Sequence, residues 1–255
     1  MAAPSLELDG RAAIVTGAGQ GVGRGIALAL AAAGARVMLH GRTAAKVEAV
    51  RDEIVDAGGT AATAAGDVAT AGDVQRCIDT TVEAFGTVDI LVNNAISQPL
   101  GPLLDIDDEV FEYGFDSGPL ATLRFMRGCH PHLVDGGSVV NIGSGVALQP
   151  AFPGFGCYAA VKTAIGSLSR AAATEWGPVG IRVNMLLPLA LTPAMAGFLE
   201  VHPEAMEGIL GQIPLGRLGD SQADVGTAAV FLCSPAAAYI TGATLTVDGG
   251  QDYVR

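Results

Sequence analysis

Short apolar runs alternate with longer stretches of helical character along the whole chain. The runs Ala12-Ala-Ile-Val-Thr16, Arg36-Val-Met-Leu-His40, Asp89-Ile-Leu-Val-Asn93, Ser138-Val-Val-Asn-Ile142, Ile181 to Leu187 and Thr244-Leu-Thr-Val-Asp248 read as strands. Thr60 to Ala65 is a weaker, alanine-rich one. The runs lack strict apolar–polar alternation, which suits a parallel sheet buried on both faces. Helices are predicted at Arg24 to Ala33, from a Thr43 cap to about Asp56, at about Ala71 to Phe85, Leu103 to Phe115 and Leu120 to His130. Others are predicted at Phe155 to Trp176, Pro193 to Gly211 and Ser221 to Cys233. Strand–helix alternation of this kind predicts an α/β fold: one doubly wound, Rossmann-like parallel sheet of about seven strands with helices on both faces. No repeat, low-complexity tract or Pro/Ser linker divides the chain, so residues 1–255 read as a single domain.

Composition narrows the picture. Half of the 255 residues are hydrophobic and 16% are charged, which supports a large core and excludes a disordered chain. The net charge of −12 argues against nucleic acid or an anionic membrane surface as a partner, while leaving room for a local basic pocket around one phosphate. The four cysteines, Cys77, Cys129, Cys157 and Cys233, have no metal-ligand spacing and fit a reducing compartment. Cys157 neighbours Tyr158, and burial explains it better than chemistry. Met1 to Gly10 carries no signal-peptide pattern and no apolar run approaches a membrane span, so a soluble cytoplasmic protein is expected.

Candidate chemistry gathers at the predicted strand ends. The first strand runs into Gly17-Ala-Gly-Gln-Gly-Val-Gly23 and then a helix. Glycines there let backbone N–H groups approach a pyrophosphate at a helix N-terminus, where the dipole favours anions. Gly17, Gly19, Gln20, Gly21, Val22 and Gly23 are the candidate loop residues. After the second strand, a dinucleotide site of this kind usually carries an acidic residue for the ribose 2′-hydroxyl. Here Gly41 stands at that place, followed by Arg42, which favours NADP over NAD; a guanidinium stacked on adenine, or in solvent, is the other reading of Arg42. Asp67, followed by Val68, could accept from an adenine amine or cap the following helix. Asn94 follows the fourth strand and Ser144 the fifth.

Tyr158 and Lys162 stand four apart in a predicted helix and so share one face. A phenol titrates near pH 10, and a neighbouring cation lowers that value. A drop of roughly three units costs about 4 kcal/mol, within reach of one desolvated lysine and a cationic cofactor. The result would be a proton donor and acceptor matched to alcohol–ketone interconversion.

From about Leu6 to Gly250 the chain resembles the short-chain dehydrogenase/reductase family. The matching motifs are Thr16-Gly17-x-x-x-Gly21-x-Gly23, Asp67-Val68, Asn93-Asn94-Ala95, Asn141-Ile-Gly-Ser144, Tyr158-x-x-x-Lys162, Ile181-Arg-Val-Asn184 and Val247-Asp-Gly-Gly250. The resemblance implies an oxidoreductase that uses NADP, or alternatively NAD, on an uncharged carbonyl or secondary alcohol. It implies Tyr158 as general acid/base, Ser144 on the substrate oxygen, and Lys162 on the nicotinamide ribose while lowering the tyrosine pKa. It also implies Thr192 as a carboxamide ligand and assembly as a homotetramer through two long central helices.

Three departures stand out. Gly118 replaces the family's relay asparagine, with Ser117-Gly118-Pro119 able to make the helix kink by backbone means and the missing side chain leaving room for a water. Pro188-Leu189 replaces Pro-Gly, and the step to Thr192 is one residue short. The Ser144–Tyr158 spacing is one residue long, to be absorbed between Gly145 and Gly154. The family's variable lid falls at residues 193–213, where Met195, Phe198, Leu199, Met206, Ile209 and Leu210 either meet an uncharged substrate or pack on the core. Gly118 also opens a second reading, a catalytically weak NADP-binding sensor or assembly protein, and a structural role within a homo-oligomer is a third.

Overall fold

The computed structural model describes residues 6–133, 136–148 and 153–252. Its centre is a seven-stranded, wholly parallel sheet in the order β3-β2-β1-β4-β5-β6-β7. The strands are β1 Ala12–Thr16, β2 Arg36–Gly41, β3 Thr60–Ala65, β4 Ile90–Asn93, β5 Ser138–Ile142, β6 Arg182–Pro188 and β7 Thr244–Val247. Each lies within a residue or so of its expected place. The strand order reverses between β1 and β4, and in open α/β sheets the crevice at such a reversal is where ligands bind.

The absence of alternation has the expected cause. In β1, Ala13 and Val15 face one core with Val37, Leu39, Ile26 and Leu30. Ala12 and Ile14 face the other, with Met38, Phe125 and Ile78. Both faces of the central strands are buried, so nearly every position there is apolar, and each fully buried large side chain contributes about 1.5–3 kcal/mol. Beneath the site, buried polar groups are paired across elements. Asn93 Nδ2 donates to Asn141 Oδ1 at 2.8 Å, and Asn141 Nδ2 donates to Ser169 Oγ at 2.8 Å. These bonds fix β4, β5 and the long helix that carries Ser169 in one register.

The helices are α1 Gly21–Ala32, α2 Ala44–Asp56, α3 Ala71–Phe85, α4 Asp108–Phe115, α5 Ala121–Leu133, α6 Gly156–Trp176, α7 Pro193–Val201, α8 Ala205–Leu210 and α9 Thr227–Cys233. Several differ from the sequence reading. Thr43 holds the N-cap position of α2, but its side chain makes no cap hydrogen bond. Helix α4 starts five residues later than expected, because Pro102 to Asp105 turn and Asp107 adopts the extended N-cap conformation before an acidic first turn. The expected helix 193–211 is split at His202-Pro203, since proline disfavours α geometry in the residue before it. Two wide π-helical stretches, Asp116–Leu120 and Ser221–Gly226, continue into α5 and α9. The second crosses α1 on two glycines. A Cβ on Gly25 would collide with the Ser221 carbonyl, and one on Gly226 would stand 2.6 Å from the Ala29 Cβ.

Candidate active site

A crevice of about 530 Å³ opens over the C-terminal ends of the strands. Gly17 and Gly21 have φ of +66° and +56°, the left-handed region that glycine adopts without strain. Gly23 lies behind the loop, where any Cβ would collide with the Gly17 carbonyl. The loop is braced from β4: Asn94 Nδ2 donates to Thr16 O at 2.9 Å and Gly17 O at 3.3 Å, and Thr16 Oγ1 accepts from Asn94 N and Ala95 N. The Asn94 amide is thus spent on holding the loop. No acidic residue sits in the first turn of α1 or α2, so both helix N-termini present their N–H groups to the crevice without a competing carboxylate.

At one end of the crevice stand Arg42, Lys46, Asp67 and Tyr113. Lys46 Nζ donates to Gln20 Oε1 at 2.6 Å, tying α2 to the glycine loop. Tyr113 reaches over from α4; its hydroxyl donates to Asp67 Oδ2 at 2.6 Å and accepts from Arg42 NH1 at 3.2 Å. Burial, and then the Asp67 carboxylate, hold the Tyr113 phenol above its ordinary pKa. Asp67 Oδ1 accepts from Ala69 N at 2.9 Å. Asp67 therefore caps its own turn and not α3, whose N-cap position is Thr70. Each carboxylate oxygen keeps a second lone pair for a ligand amine.

At the other end are Ser144, Tyr158 and Lys162. Ser144 leaves β5 in extended geometry. Tyr158 and Lys162, on α6, are only 8% and 3% exposed. Ser144 and Gln98 interact with the Tyr158 hydroxyl and favour its ionised form. Lys162 Nζ donates to the Ile142 carbonyl at 2.6 Å and stands 5.7 Å from the Tyr158 ring centroid. Desolvation lowers the lysine to about 7. Burial raises the Tyr158 phenol above its ordinary value, and Ser144 and Gln98 oppose that rise. In the free protein the lysine, itself desolvated toward neutrality, does not lower the phenol; the sequence expectation is for the lysine together with a cationic cofactor.

The Gly118 expectation needs a second correction. The kink is a π-helical turn containing Pro119, so the helix widens and runs on. The volume beside Gly118 is not open to a water, because Val161 and Ile96 occupy it. Ser117 Oγ donates to the Tyr113 carbonyl at 2.7 Å and accepts from Ser97 N at 3.0 Å, which secures the turn.

The crevice wall thus brings together Gly17, Gly19, Gln20, Gly21, Val22, Arg42, Asp67, Val68, Asn94, Ser144, Tyr158, Lys162 and Thr192, leaving out only Gly23 of the expected set. The short step from Pro188 does not remove Thr192, whose side chain caps α7 through Met195 N at 3.2 Å and packs near Gly21. The segment that absorbs the extra residue before Tyr158 lies partly outside the described residues. Sequence reading missed Lys46, Gln98, Tyr113 and Val161. Lys46 was findable, one helical turn beyond Arg42; the other three depend on how separate elements meet.

A family model for Enoyl-(Acyl carrier protein) reductase matches residues 17–252. The chain is 39% identical over 254 residues to a 12α-hydroxysteroid dehydrogenase from Clostridium sp., covering 95% of this chain and 97% of that one. The chain belongs to the short-chain dehydrogenase/reductase family. A second family member, the galactitol 2-dehydrogenase (L-tagatose-forming) of Cereibacter sphaeroides, is 38% identical over 250 residues, covering 95% of each chain. Among solved members, a 7α-hydroxysteroid dehydrogenase complexed with NADH and 7-oxo glycochenodeoxycholic acid superposes with a TM-score of 0.91 at 35% identity, covering 97% of this chain and 96% of that one. Membership carries oxidoreductase chemistry with a nicotinamide cofactor, on the fold that the sheet order already displays. Among the described residues no cluster could hold a metal ion, and no helix is long and apolar enough to cross a membrane.

Proposed function

We propose that this protein interconverts a ketone and a secondary alcohol with NADP as the preferred cofactor, and that Tyr158 is its general acid/base. The observation that carries the reading is Tyr158, buried in the crevice wall together with Ser144 and Lys162. When bound, the nicotinamide supplies or accepts the hydride. Tyr158 gives its proton to the carbonyl oxygen on reduction and takes it back from the alcohol on oxidation. Ser144 donates a hydrogen bond to the same oxygen and so favours the charge that builds there. Lys162 would hold a ribose hydroxyl. A cation beside the buried lysine and phenol would favour the phenolate in the oxidative direction.

The glycine loop and the N-terminus of α1 would hold the pyrophosphate. NADP is favoured by Arg42 after the end of β2 and Lys46 in the first turn of α2, where Gly41 supplies no carboxylate to oppose a 2′-phosphate. Thr192 would meet the carboxamide. Residues 1–255 act as one catalytic domain, with α7 and α8 as a lid over residues 193–213. Of the expected lid residues, Met195 lines the crevice, whereas Leu199 is buried in the core. Leu100, Leu103, Leu104 and Phe198 are exposed apolar side chains on the segments flanking the crevice. That apolar rim, and the hydroxysteroid dehydrogenases among the relatives, favour a bulky uncharged substrate over a polyol. Assembly as a homotetramer in the cytoplasm completes the reading. The test is turnover of purified protein on hydroxysteroids, simple cyclic alcohols and polyols with NADP and NAD. Cofactor binding without turnover of any of them would favour the sensor role instead.

A further inference from the structure

Tyr113 is not among the family motifs in this chain, yet it makes the bonds that join the two groups at the adenosine end of the crevice. Arg42 projects from the end of β2 and is exposed, and an exposed arginine samples many rotamers. Here NH1 is pinned at 3.2 Å on the Tyr113 hydroxyl. That hydroxyl is in turn pinned at 2.6 Å on Asp67. The phenol can serve both because a hydroxyl donates once and accepts as well. Its ring is half-buried, on a helix whose C-terminal end is secured by Ser117, so the anchor is fixed while the arginine is not.

We infer that Tyr113 is a positioning residue for cofactor choice: it holds the Arg42 guanidinium over the crevice, with the remaining donors directed to a phosphate on the adenosine ribose. This rests on the NADP reading above. Tyr113 does not itself touch that phosphate. It reduces the freedom that Arg42 must lose when the anion binds, which is the ordinary route by which preorganisation raises affinity. A bare nucleoside monophosphate draws no such benefit.

The test uses cofactor fragments, 2′,5′-ADP and 5′-AMP, titrated calorimetrically into the full chain. Wild type is expected to prefer 2′,5′-ADP. Tyr113→Phe is expected to cut that preference roughly three- to ten-fold, the size of one hydrogen bond, through weaker 2′,5′-ADP binding. Any change in adenine contact at the freed Asp67 affects both fragments and cancels in the ratio. In an Arg42→Ala background the same Tyr113→Phe change is expected to leave the ratio alone. An unaltered ratio in the single variant, or an equal loss with and without Arg42, overturns the inference while leaving the NADP reading standing. A wild type with no preference for 2′,5′-ADP overturns the NADP reading and this inference together.

Discussion

Val161 fills the space beside Gly118. A Cβ on that glycine would stand 2.6 Å from Val161 Cγ1 and 3.4 Å from Ile96 Cδ1. Where the family resemblance places an asparagine side chain, this protein has a valine from the same helix as Tyr158 and Lys162, and Val161 is wholly buried. The two positions are a matched pair. Gly118→Asn is expected to destabilise the protein by about 1–3 kcal/mol through overpacking. Introduced into Val161→Ala, the same asparagine should cost distinctly less. Urea denaturation of the four proteins gives the coupling; equal costs in both backgrounds would show that Val161 is not what excludes the side chain.

Tyr158→Phe should remove turnover while leaving cofactor affinity within a few-fold, since the hydroxyl carries the proton and is not a main binding group. Ser144→Ala should lower kcat by about 10²-fold or more, as loss of an oxyanion donor does. With the phenol held above its ordinary value, ketone reduction should persist across neutral pH and decline on the alkaline side. A Phe variant with near-normal rate removes Tyr158 from the mechanism.

Gly41→Asp sets a carboxylate at the end of β2, with its Cβ about 3.0 Å from Val47 Cγ1, a tight but tolerable fit, and φ outside the left-handed region. It should repel a 2′-phosphate and move preference toward NAD. Arg42→Ala should weaken NADP about ten-fold or more, the worth of a charge-assisted hydrogen bond, with a smaller effect on NAD. Steady-state kinetics with both cofactors measure the ratio, and an unmoved ratio in both variants would mean the phosphate is not read here.

Lys162 makes stability depend on pH. Its folded value is about 7 against an ordinary 10.5. Between those values the unfolded chain binds a proton that the folded protein does not, so stability falls as pH drops from 10.5 toward 7 and levels off below. The full cost is on the order of 5 kcal/mol. Lys162→Met should therefore be more stable than wild type at pH 7, with the advantage shrinking by pH 10, while losing activity. An advantage that is flat with pH would mean the lysine is not held neutral.

Much of this was legible in advance. The central strands could be read because burial on both faces leaves runs such as Ile90-Leu-Val with no polar interruption, whereas the edge strand Thr60–Ala65, only partly buried, gave a weaker signal. Ser144, Tyr158 and Lys162 could be read because strand ends and helical spacing place them together. The phenol's raised pKa could not, because it depends on how far the lysine beside it is desolvated, a property of the packed interior. Nor could the contents of the space at Gly118, since the sequence gives the absence of a side chain there but not which neighbour moves in. Tyr113 was missed for a related reason: its two partners stand 46 and 71 residues away.

The glycine crossing between α1 and the Ser221–Gly226 turn bears on how the chain is made. Helix α1 is synthesised well before part of its cover, which comes from residues 221–233. Its apolar face, including Ile26 and Leu30, must remain partly uncovered on the nascent chain until residues 221–233 arrive. Such non-local closure slows folding and prolongs the exposure of sticky surface. A chain stopped at residue 218 is expected to bind a hydrophobic dye and precipitate, whereas adding residues 219–252 in the same polypeptide restores solubility. A soluble, dye-silent 1–218 fragment would mean that α1 finds its cover without the late crossing.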